Sequence, residues 1–144
     1  MRKMSELGWS VLVLSMFVAG CSGIFSPREQ QREKALFEAT ETYEKLMRWG
    51  YFEQATQYLR AKEGEIASPD IKKMAQFKVT GYHTGEQLVS SAGDEARVLA
   101  QIDYYDIDTG VVNTARDEQY WWFDAEKRRW YLGSPMPSFV AHRR

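Results

Sequence analysis

The 144-residue chain carries 19 Lys+Arg against 20 Asp+Glu, with 44% hydrophobic and 27% charged residues. Those proportions describe a folded globular domain rather than a disordered or multi-span membrane chain. A near-neutral balance argues against a nucleic-acid partner, which would call for a basic face, and the length suffices for one ordinary domain.

The amino terminus opens with Arg2 and Lys3, followed by an apolar run from Leu7 to Val18. About a dozen residues match a signal-peptide core and are too short for a span, which needs roughly 20. The chain's single cysteine directly ends this run, in Val18-Ala19-Gly20-Cys21. This tetrad resembles the lipobox of bacterial lipoproteins. The resemblance implies that Cys21 receives a diacylglyceryl group, that a signal peptidase cuts between Gly20 and Cys21, and that residues 1–20 are removed. The competing reading is an ordinary secretory signal with an incidental cysteine. Positive start, apolar core, small residues and an unpartnered cysteine coincide, and together they favour the lipobox. Ser22 resembles the pattern of lipoproteins sorted to the outer membrane, so the expected location is lipid-anchored and facing the periplasm. Loss of residues 1–20 removes Arg2, Lys3 and Glu6 and leaves a net charge of −2.

Residues 21–27 form a linker reaching at most about 20 Å, so the domain is expected beside the lipid. Ile24 and Phe25 either enter the interface or cover an edge of the domain. From Pro27, a favoured first helical residue, Leu36, Phe37, Thr40, Tyr43 and Met47 recur at spacings that predict an amphipathic helix over about 28–49. Gly50 closes it, and Phe52, Ala55, Tyr58 and Leu59 mark a second, shorter helix. Ser68-Pro69-Asp70 starts another turn or short helix.

The period then changes. Strands are expected over 76–83, 97–107, 111–123 and 130–132, with hairpins at Asp108-Thr109-Gly110 and around Asp124–Lys127. Val98, Ala100, Ile102 and Tyr104 alternate onto a core face. Pro135 and Pro137 end the sheet, leaving 135–144 as a tail and 28–134 as the domain. The fold class is α+β: two helices packed on a curved antiparallel sheet of about four strands. Element order, the Met47–Glu53 helix junction and the aromatic strand pair resemble the NTF2-like, or broadly cystatin-like, fold, with a cone that is shallow or truncated.

Motif chemistry is sparse. Neither a phosphate loop nor a nucleophile elbow is present, one cysteine and two histidines make no zinc cluster, and no cofactor is implied. Four sheet residues form a possible cleft: His83, Asp103, Tyr105 and Arg116. A two-residue turn at Thr109-Gly110 would set Asp103 opposite Arg116, and a three-residue turn shifts the pairing by one. As a cleft the group could orient a polar ligand or move a proton; as surface it is a cross-strand ion pair. Tyr120-Trp121-Trp122-Phe123 sends two rings to each face, chiefly for packing, and Lys127-Arg128-Arg129 is solvated turn charge or a contact for anionic headgroups. The expected function is a non-enzymatic envelope module, anchored to the membrane, with an envelope protein partner or self-association through the sheet. The alternative is a ligand binder or simple enzyme using the cone.

Overall fold

The computed structural model describes residues 26–140. The signal segment, Gly20 and Cys21 lie outside the described residues. No described helix is long and apolar enough to cross a membrane.

Helix α1 spans Pro27–Arg48. Ser26 caps it reciprocally: its hydroxyl accepts from the Glu29 amide, and its own amide donates to the Glu29 carboxylate at 2.7 Å. The buried stripe is Leu36, Thr40, Tyr43 and Met47, spaced by four and three. Gly50, at φ 76°, ends the helix in a left-handed turn. Its amide donates to Met47 and that of Tyr51 to Leu46, satisfying two terminal carbonyls. The second helix is a single turn, α2 (Phe52–Ala55), continued by a 3-10 turn to Tyr58, and α3 (Ile71–Met74) is capped by the Asp70 carboxylate.

The sheet is antiparallel in the order β1 (Phe77–Val89), β2 (Glu95–Asp106), β3 (Val112–Asp124), β4 (Arg129–Leu132). Strand β1 runs six residues beyond its expected end because Gln87, Leu88 and Val89 pair with Val98, Arg97 and Ala96. Ala96, Val98, Ala100, Ile102 and Tyr104 of β2 all point inward and are at most 2% exposed. The α+β layering is therefore as read, with α1 against one sheet face.

Three expectations are corrected. Asp103 lies opposite Thr114 and Arg116 opposite Gln101, two residues from the pairing of a two-residue turn. The cause is Asp106, whose carboxylate accepts the amides of Asp108 and Thr109 and fixes a four-residue loop, Ile107–Gly110. A shift of two leaves side chains on the same face, so Asp103, Tyr105 and Arg116 still share one. The segment after Gly133 is also not a free tail. Met136 and Phe139 are buried, Phe139 lies 4.6 Å from the Tyr104 ring, and the Tyr104 hydroxyl bridges the amide and carbonyl of Val140. Proline ends the ladder there without ending the packing. Finally, the basic run at 127–129 divides, because Arg129 turns over the rings of Tyr58 and Tyr131 at 5.1 and 5.4 Å.

Candidate functional site

The outer sheet face carries the four residues singled out from the sequence. Asp103 is half-buried; its Oδ1 accepts from the Thr114 hydroxyl at 2.7 Å, and its Oδ2 stands 3.7 Å from His83 Nε2. Gly81 makes this approach possible, since a Cβ there would meet Asp103 Oδ2 at 3.0 Å. The fold thus brings His83 and Asp103 together. Tyr105 pairs with Lys78 on one side and Val112 on the other, and Arg116 faces Gln101, so neither joins them. His83 is 69% exposed on its side chain, and so exposed a pair is worth at most about 1 kcal/mol.

The inner face holds a second constellation that alternation alone does not flag. On β3 the inward positions after Ala115 are Asp117, Gln119 and Trp121, at 5%, 3% and 0% exposure. A carboxylate and an amide have thus entered the core, where each polar group must find a partner. Gln119 meets this demand with its whole amide: the Nε2 group donates to Asp117 Oδ2 at 2.7 Å and to the Tyr82 hydroxyl at 2.6 Å, and Oε1 accepts from the Trp121 indole at 2.9 Å. Ala100 lies opposite Asp117 and leaves room for it.

Tyr82 reaches the cluster because of a bulge. Phe77 and Val79 point inward, but the register shifts between Val79 and Gly81, so Tyr82 rather than Gly81 becomes the next inward residue. From α1, Tyr43 supplies a fully buried hydroxyl with no hydrogen-bond partner. Its ring meets those of Tyr58 and Trp121 edge-on at 6.1 and 5.7 Å. At the rim, Glu44 of α1 accepts from Thr84 of β1 at 3.0 Å.

Electrostatics follow from burial. Removal from water pushes the Asp117 carboxyl up to about 6, and the Gln119 hydrogen bond only partly opposes this. Burial raises both tyrosine hydroxyls as well, helped in each case by the Asp117 charge, with Glu44 adding to Tyr82. Asp117 therefore changes charge near neutral pH, as a general acid or base would.

The aromatic run distributes as alternation requires. Trp121 is core and Phe123 packs on Trp130 at 5.5 Å, while Trp122 lies on the outer face against Tyr131, donating its indole hydrogen to the Arg60 carbonyl at 2.8 Å. Among the described residues no three His, Cys, Asp or Glu side chains are grouped to hold a metal. Comparison of the chain with protein-family models, with curated proteins and with solved structures finds no match.

Proposed function

We propose that the protein is a lipoprotein of the bacterial envelope, anchored through Cys21 and facing the periplasm, with a shortened NTF2-like domain serving as a non-enzymatic binding module for an envelope protein. The anchor is supported by the signal features of residues 1–21. The binding role is carried by one contrast between the two sheet faces. The inner polar cluster is packed to 5% exposure or less at Asp117 and Gln119, whereas the outer face stands open and presents Leu88 and Leu99 at 58% and 38% beside Glu86, Arg97 and Glu118. Apolar residues ringed by charges of both signs are the usual anatomy of a protein contact.

A second reading, a small-ligand binder or simple enzyme, is favoured by one observation, the Asp117 carboxyl at about 6 beside Tyr82 and Gln119. The two separate in complementation of a deletion strain scored for envelope integrity. On the binding reading Asp117→Asn restores function fully and Leu99→Asp with Arg97→Glu does not. The opposite pattern makes the inner cluster the functional site. Labelled fatty acid should enter the full chain and be lost in Cys21→Ser; label retained in that variant would refute the anchor.

A further inference from the structure

At the amino-terminal end of α1, the first helical turns and the β3–β4 hairpin enclose a pocket of about 520 Å³ whose lining includes Arg28, Gln31, Arg32, Phe123 and Arg128. Arg28 and Arg32 are one helical turn apart and so share a face. Its wall is held in place: the Trp130 indole donates to the Arg32 carbonyl at 2.9 Å, and the Arg32 guanidinium lies 4.9 Å from the centre of the Phe123 ring.

Among the described residues, no carboxylate lies within ion-pair distance of Arg28, Arg32 or Arg128. The nearest candidates are engaged elsewhere. Glu29 accepts the Ser26 amide, and Asp124 holds Arg60 at 3.0 Å and the amides of Glu126 and Lys127. Glu126 stands exposed on the same turn. Three arginines thus line one pocket without a carboxylate partner, although Arg32 also donates to the Ala92 carbonyl at 3.5 Å, and the positive end of the α1 dipole adds to their field. Guanidinium forks match phosphate oxygens in geometry as well as charge. The domain as a whole, at a net −2 without its first 20 residues, has no general attraction for an anionic surface, so any such attraction comes from a local site.

We propose that this pocket binds the phosphate of an anionic lipid headgroup and seats the domain on the membrane in one orientation. The choice of a lipid over a free phosphate rests on the reading of Cys21 as the lipid anchor. Six residues, 22–27, lie between that cysteine and Arg28 and reach at most about 20 Å, which keeps the headgroup layer within reach of the pocket. Attachment and headgroup contact then act together, as two weak signals that jointly give firm binding.

The test uses the chain from Ser22 onward, which carries no lipid and contains the whole core from Leu36 to Phe139. It should sediment with vesicles of phosphatidylglycerol in phosphatidylcholine and not with phosphatidylcholine alone. Arg28→Gln should weaken partition about fivefold, and the triple change with Arg32→Gln and Arg128→Gln on the order of 100-fold. Lys72→Gln with Lys73→Gln, on α3, should leave it unchanged. Thermal melts identify any loss of folding at Arg32, which packs on Phe123; Arg28 and Arg128 are exposed and give the same test without that risk. Equal partition onto both vesicle types, no partition onto either, or an equal loss from the α3 pair would overturn the proposal. Saturable shifts of the arginine resonances with inorganic phosphate, without sedimentation on vesicles, would assign the pocket to a free anion and overturn it too. Fatty-acid labelling of the full chain tests Cys21 independently, so failure of the anchor and failure of the pocket are distinguishable.

Discussion

Arg128 occupies in the β3–β4 hairpin the place that Gly110 occupies in the β2–β3 hairpin. Each is the fourth residue of a four-residue loop, with φ of 51° and 68°. Each loop follows an aspartate, Asp106 or Asp124, whose carboxylate accepts the amides two and three residues on at 2.9 to 3.0 Å. Glycine takes this left-handed conformation without strain, and an arginine pays roughly 1 kcal/mol for it. Arg128→Gly should therefore raise unfolding free energy by about 1 kcal/mol in thermal or urea melts. An unchanged or lowered stability would mean that the Arg128 side chain contributes to the fold itself.

Asp117 should make the fold less stable as pH rises. Its carboxyl titrates at about 6 in the folded state and at about 3.9 in the unfolded chain, so between those values the folded state holds the extra proton. Stability is then highest below about pH 4, falls through pH 4 to 6, and is lower by roughly 3 kcal/mol above that window. Asp117→Asn should remove this component and raise stability at pH 7 by roughly 1–3 kcal/mol. Urea melts from pH 4 to 8 on both proteins measure it, and parallel curves would contradict it.

Tyr43 keeps its edge-on ring contacts without its hydroxyl, which is buried and unpartnered. Tyr43→Phe should stabilise the domain by about 1 kcal/mol, the cost of an unmade buried hydrogen bond. A loss of that size would instead reveal a partner for the hydroxyl, such as a buried water.

Gly133 lies where the outer-face rings close over the end of β4. A Cβ there would fall 2.8 Å from Tyr120 and 3.0 Å from Trp122, so one ring must move. Gly133→Ala should cost about 1–3 kcal/mol, as overpacking does elsewhere, and should shift the Trp122 indole resonance in a proton–nitrogen spectrum. A melt identical to that of the natural chain would show that the rings yield freely.

Helix α1 and the core face of β2 were legible because their periods are unbroken: Leu36, Thr40, Tyr43 and Met47 in one, with Phe37, read alongside them, left exposed, and Val98, Ala100, Ile102 and Tyr104 in the other. Strand register was not, since it depends on one carboxylate, that of Asp106, choosing two backbone amides. The polar cluster was hidden for a related reason. Asp117 and Gln119 are polar and give no core signal of their own; alternation puts them on the face of Ala115 and Trp121, where Ala100 leaves room and the phase-shifted Tyr82 supplies a partner. His83 and Asp103 meet because the same bulge moves Gly81 beside Asp103, which no count of turn residues anticipates. Phe139 follows two prolines and gives no periodic signal of its burial.

The two edges of the sheet differ in what they offer a neighbouring chain. On the β4 side, Leu59 bridges Leu132 and the Arg60 amide donates to the Leu132 carbonyl, so the ladder is already covered there. On the other side β1 presents its backbone over 13 residues, but two register breaks cut its pairing with β2 into runs of three, four and three residues. A straight edge of that length would invite strand addition, copy upon copy, into a filament. The surplus residues of β1 break that edge into short runs, so a second copy of the chain finds no long straight ladder to extend.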